Sequence, residues 1–196
     1  MPHAKTQKVR LIVAFADISG FSNFCDAVTN DEVEYDPLMD RFDEIVEKAE
    51  RETGYSFTDT GDGFMCTVDL VPGNAGRTTL QVLTHLWRIL TEIEAAIDTH
   101  RKDSVSPEGA RVVIAAGYVK RKIKKDGRVI LRGKYINLAH NFLDHARGHG
   151  VVVHDSARNL ISDVLAKKSG IEFVRLKKFK MLSVVKIHPD RRNGRV

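Results

Sequence analysis

The 196-residue chain reads as an α+β domain in which a mostly antiparallel sheet is covered by helices. Three observations predict this class. Residues 9–16 (VRLIVAFA) are almost continuously apolar, the pattern of a central strand buried on both faces. Gly61-Asp62-Gly63 and Asp126-Gly127 are hairpin signals lying between strand-like runs. Amphipathic helices interleave with those hairpins instead of alternating with single strands, which argues against a doubly wound parallel sheet.

The elements follow in order. The first strand ends at Asp17, and Ser19-Gly20 opens a helix carrying Phe21, Phe24 and Cys25. A helix from about residue 31 has Leu38, Phe42, Ile45, Val46 and Ala49 on one stripe and stops at Gly54. Residues 55–60 and 64–70 form a hairpin around Gly61-Asp62-Gly63. A long amphipathic helix over 77–100 is followed by a strand over 110–119, a hairpin through Asp126-Gly127 and a return strand over 129–131. The spacing then predicts a helix over 134–146, a strand over 151–153, a helix over 155–166 and strands over 172–176 and 181–187. The expected division is an extension over 1–8, one domain over 9–187 and a basic tail over 188–196.

Composition narrows the function. Hydrophobic residues at 42% and charged residues at 29% exclude a disordered or collagen-like chain. No apolar run approaches the roughly 18–20 residues that span a bilayer, and no apolar leader follows Met1, so no membrane partner and a cytoplasmic location are expected. Two cysteines, Cys25 and Cys66, exclude a disulfide scaffold and a four-cysteine zinc site. A formal charge of +5 suits a polyanionic ligand.

The chemistry concentrates on two aspartates. Asp17 ends the most buried strand, and Asp62 occupies the tight turn of the next hairpin. If the strands are neighbours, the carboxylates converge, and with no His or Cys cluster beside them they suit a hard cation, Mg²⁺ or Mn²⁺. Ser19, Gly20 and Phe21 lie at a helix start, where free N–H groups cradle phosphate. This is the layout of a two-metal phosphoryl or nucleotidyl transfer site. Alone, an Asp after a strand is usually a cap and a Gly-Asp-Gly usually only a turn; the combination changes the reading.

Phe15-Ala16-Asp17-Ile18-Ser19-Gly20-Phe21 resembles the first metal motif of class III nucleotidyl cyclases, and Thr60-Gly61-Asp62-Gly63-Phe64-Met65 resembles the second, at a fitting separation. Gly133-Lys134-Tyr135-Ile136-Asn137-Leu138-Ala139 is similar to the family's G-x-x-V-N-x-A helix start, and Ala115-Ala116-Gly117 to a strand end. The resemblance implies a ferredoxin-like catalytic domain that binds a nucleoside triphosphate and works as a head-to-tail homodimer with interface active sites. It implies two divalent ions held by Asp17, Asp62 and the Ile18 carbonyl, with Asn137 in the catalytic machinery. One ion would activate the ribose 3′-hydroxyl and the other would grip the triphosphate; the 3′-oxygen attacks the α-phosphorus and pyrophosphate leaves.

Departures from the family pattern carry the specificity argument. The positions that read a purine edge hold Thr58 and Ile130 here. An unpaired polar base edge would cost on the order of 1–3 kcal/mol. The position of the family's transition-state Arg holds Asn141, and Lys177, near Lys178 and Lys180, stands where the family places a phosphate-binding Lys. Intact metal aspartates beside an altered base pocket resemble the stand-alone pyrimidine cyclases of bacterial anti-phage defence, which implies UTP, then CTP, as substrate. Tyr55, Phe57 and Thr58 would line the base pocket, against a plain core role for the two aromatics. The alternatives are a purine cyclase with unusual base contacts and an inactive cyclase-like module.

Two further features are read as structural. His145 and His149 are spaced i, i+4, but Gly148 breaks that helix, and His140 with Asp144 lacks a third ligand. Residues 119–128 form a basic hairpin without interleaved aromatics, so nucleic acid is not an expected partner.

Overall fold

A computed structural model of the chain describes residues 6–28, 32–99 and 107–187. Its centre is β1 (Thr6–Ser19), which pairs antiparallel with β3 (Gly63–Asp69) on one side and β4 (Gly109–Ile123) on the other. Leu11, Ile12, Val13 and Ala14 of β1 have no exposed surface, which explains why the run is apolar at every position. The sheet order is β2 (Ser56–Asp59), β3, β1, β4, β6 (Val151–His154), β8 (Leu182–Ile187), β7 (Ile171–Arg175), and β5 (Val129–Arg132) pairs with the far end of β4. Every pair is antiparallel except β4 with β6.

Alternation along β1 sorts its side chains between two layers. Ile12, Ala14, Ala16 and Ile18 join the core under α2 (Glu32–Thr53) and α3 (Ala75–Thr99), where Leu83, Leu86 and Ile93 are also buried. Leu11, Val13 and Phe15 face the other side, under α4 (Lys134–Asn141) and the 3-10 turn Leu143–Ala146. Asp17 is the next residue on that second face, just beyond the end of the apolar run. α1 (Phe21–Val28) begins where expected, with Phe21 and Phe24 buried.

The structure corrects three expectations. β1 starts at Thr6, so residues 6–8 are sheet and not extension: Thr6 stands opposite Lys122 and Lys8 opposite Lys120. The helix expected over 134–146 ends at Asn141 and continues as the 3-10 turn, in which buried Ala146 and an Asp144 bonded to Arg111 pin the chain to the sheet. The helix expected over 155–166 is two, α5 (Asp155–Arg158) and α6 (Asp163–Lys168). Arg158 donates to the Ile161 carbonyl at 2.8 Å, buried Ile161 anchors the break, and Ser162 caps α6 by accepting from the Leu165 N–H at 3.2 Å. The tail over 188–196 lies outside the described residues.

Candidate active site

The hairpin between β2 and β3 presses Asp62 against the end of β1. The Ile18 N–H donates to the Asp62 carbonyl at 3.0 Å, so the turn is stitched to the strand one residue past Asp17. Asp59 shapes the turn from the other side, its carboxylate accepting from the Gly61 N–H at 2.7 Å, and Gly61 itself has φ +98°. Gly63, opposite Asp17, is required by space: a Cβ there would stand 2.1 Å from the Ala16 carbonyl oxygen. The glycines on either side of Asp62 thus serve different ends, one the bend and the other the close approach of two backbones.

The Asp62 carboxylate acts directly on the Asp17 carboxyl. Burial raises the Asp17 carboxyl above its ordinary range, and the Asp62 charge raises it further, against two hydrogen bonds from Arg111 that pull it down. Arg111 stands directly across β4 from Asp17. Its Nε donates to Asp17 Oδ2 at 2.8 Å, its Nη2 bonds the same oxygen, and its Nη1 reaches Asp144 at 3.3 Å. Asp17 and Arg111 are mostly buried whereas Asp144 is exposed. Sequence reasoning missed Arg111: it borders an apolar strand run, and only the β1–β4 register shows that it faces Asp17.

The residues expected to cradle phosphate lie beside this pair. Ser19 is buried and its carbonyl accepts from the Glu108 N–H at 2.7 Å, while Gly20 has φ +78° and its carbonyl starts α1 by accepting from Phe24. A side chain at Gly20 would meet Glu108, which pairs with Arg147 at 3.0 Å. Ser19, Gly20, Phe21, Asp17, Ile18 and Asp62 therefore form one neighbourhood with Arg111.

The remaining expected residues are distributed differently. Thr58 is exposed on the face of the sheet that carries Asp17, opposite Met65. Tyr55 and Phe57 point the other way: Phe57 packs edge-on to Phe64 at 5.2 Å, and the Tyr55 hydroxyl pairs with His85 at 3.1 Å, which places both in the helix-side core. Asn137 is exposed on α4 and Asn141 is exposed at its end. Lys177 is exposed in the β7–β8 turn, which reaches back to the 3-10 turn where Phe179 stacks on His145 at 3.9 Å. Ile130 is furthest from the carboxylates. It pairs with Lys122, and the eleven steps from Arg111 to Lys122 along β4 amount to roughly 36 Å at about 3.3 Å per step.

Among the described residues no group of three or more His, Cys, Asp or Glu is placed to hold a metal. The donor set is instead two carboxylates and a main-chain carbonyl. It fits a hard dication: a carboxyl raised by burial and further by a neighbouring carboxylate is relieved by a divalent charge, and oxygen ligands suffice. The cysteines take no part. Cys66 is fully buried, with its thiol pushed up to about 12, and the Cys25 thiol is also raised by burial.

Residues 2–187 match the family described as the adenylate and guanylate cyclase catalytic domain. The chain belongs to that family. No curated protein matches this cyclase domain in sequence. Solved structures do match it in fold. The adenylyl cyclase CyaB from P. aeruginosa is 18% identical with a TM-score of 0.71, over 95% of this chain and 98% of that one. A double mutant of the guanylyl cyclase domain of the RhoGC fusion protein from the aquatic fungus Blastocladiella emersonii is 17% identical with a TM-score of 0.62, over 94% and 97%. A bacterial light-regulated adenylyl cyclase is 14% identical with a TM-score of 0.67, over 94% of this chain, which spans about half (53%) of that longer protein. At these identities the likeness is one of fold. Among the described residues no helix of this cyclase domain is long and apolar enough to cross a membrane.

Proposed function

We propose that this chain is a nucleotidyl cyclase of the cytoplasm that converts a nucleoside triphosphate to its 3′,5′-cyclic monophosphate and pyrophosphate, with UTP favoured and CTP next, as a second-messenger enzyme of anti-phage defence. The observation that carries the catalytic reading is the convergence of Asp17 and Asp62 on one strand end, beside Ser19-Gly20-Phe21. Asp17, Asp62 and the Ile18 carbonyl would hold two Mg²⁺ or Mn²⁺ ions. When bound, such ions acidify the ribose 3′-hydroxyl and offset the charge of the triphosphate. The α1 N–H groups bind phosphate oxygens, and Arg111, tethered by Asp144, offers a planar cation to the same group once Asp17 turns to a ligand. That cation stands in the chain's own site, where Asn141 supplies none.

The base preference rests on what the base-reading positions lack. Neither Thr58 nor Ile130 carries a charge to match a purine edge. Ile130 is too far along β4 to join Asp17 within one chain, so in this reading Ile130, Asn137 and Lys177 act on the site of a second copy in a homodimer.

Incubation with each of the four nucleoside triphosphates and Mn²⁺, with products identified by mass spectrometry, tests the proposal. A cyclic pyrimidine nucleotide is expected, and Asp17→Ala and Asp62→Ala abolish it while the far-ultraviolet circular dichroism is unchanged. A purine product would overturn the base assignment alone. No cyclic product, or product that survives either substitution, would overturn the catalytic one.

A further inference from the structure

The β4–β5 hairpin carries cations that the cyclase reading leaves without a role. In sequence, residues 119–128 look like an undifferentiated basic stretch. Strand register separates them into two faces. Arg121 lies on one face, paired with Asp69 at 2.8 Å. Arg128, opposite Lys124 at the hairpin tip, is neutralised by Asp126 at 2.7 Å. The face opposite Arg121 holds Lys120, Lys122, Lys124 and Arg132, which line a groove of about 380 Å³ with Thr6 and Ile130. Among the described residues none of these four cations has an ion-pair partner.

Their placement is costly by itself. Lys8, Lys120 and Arg132 stand directly opposite one another across three adjacent strands. Like charges so placed, with Cβ atoms about 5 Å apart, destabilise a sheet. An anion laid along the groove removes that cost. Tyr118, two residues before Lys120 and therefore on the same face, is 57% exposed, with the Lys8 ammonium 4.7 Å from its ring centroid. The exposed aliphatic side chains Ile123 and Val129 belong to the other face.

We propose that this face binds single-stranded nucleic acid, the row Lys120, Lys122, Lys124 and Arg132 following the phosphates and Tyr118 stacking an unpaired base. A cationic groove with an accessible ring is what non-specific single-strand recognition uses. The site lies at the far end of β1 and β4 from the Asp17 of the same chain; Ile130, which the proposed function gives to a second copy's site, lines the same groove, so binding is measured without turnover.

Fluorescence anisotropy with a labelled single strand of about twelve nucleotides, without divalent ions or triphosphate, tests this. Four phosphate contacts give a slope of about −3 in log affinity against log salt, a loss of roughly fiftyfold between 50 and 200 mM. Lys120→Gln with Lys122→Gln is expected to halve that slope and weaken binding roughly tenfold, and Tyr118→Ala to weaken it severalfold. Arg121→Gln, on the other face, leaves it within about twofold. Lys120→Gln is also expected to melt no lower than the parent, because it dissolves the like-charge row. The proposal is overturned if the strand does not bind, if the double variant binds like the parent, if inorganic tripolyphosphate competes equally with no effect of Tyr118→Ala, or if phosphatidylserine vesicles bind in place of the strand.

Discussion

Arg111 shows what a single side chain does at this site. Asp17 and Arg111 form a mostly buried ion pair, and Asp62 adds a second carboxylate to it. Removing one partner of a buried pair leaves the other charge uncompensated, at a cost of about 3 kcal/mol. Arg111→Gln is therefore expected to lower the stability of the metal-free protein by up to that amount. Mn²⁺ should then raise its melting temperature more than the parent's, because Asp17 would have to give up Arg111 to hold an ion in the parent and would not in the variant. The pH dependence follows in sign. The Asp17 carboxyl is raised in the folded state, so its ionisation costs stability as pH rises through the raised value, and without Arg111 it is raised further. The deficit of the variant shrinks at acid pH and is full at neutral pH. Thermal unfolding at both, with and without Mn²⁺, measures it; a melting temperature unchanged by the substitution would refute the pair's role.

At the scale of elements, one contact sets how α4 lies on the sheet. The ring of Tyr135 occupies the space a side chain at Gly117 would need: a Cβ there would stand 1.9 Å from it. The family-like glycine, which the structure places in the middle of β4, is thus a docking seat for the helix that carries Asn137. Gly117→Ala is expected to cost about 1–3 kcal/mol by overpacking. It also displaces the helix, so any cyclase activity should fall more than the stability loss explains. Chemical denaturation alongside product formation separates the two effects. Element boundaries were legible where glycine ends a helix, as at Gly54, whose N–H closes on Glu50 at 2.8 Å. They were not legible at 141–146 or 159–162, where side chains distant in sequence or buried anchors overrule helical spacing.

For the whole molecule, length along the sheet is the deciding quantity. Asp17 and Ile130 sit at opposite ends of β4, so a site that uses both needs two copies. Complementation tests this. Asp62→Ala and Asn137→Ala proteins, each inactive alone, should regain roughly a quarter of parental activity when refolded together, as expected if half the subunits pair across types and one of two sites in each is whole. Failure of the mixture to recover, with both proteins folded, would place every working residue in one chain.

Much of this was already fixed by the linear order of residues. The apolar run of β1 dictates a strand buried on both faces, Gly61 and Gly63 dictate a tight turn, and two short motifs dictate where the acidic groups fall. Local propensity and spacing act on neighbours in the chain, so they can be read there. The partnership of Asp17 with Arg111, the turning of Tyr55 and Phe57 into the helix-side core and the sorting of the hairpin cations onto one face were decided only by tertiary structure. Each depends on strand register, which joins residues far apart in sequence, and a shift of one position would send every one of those side chains to the opposite face.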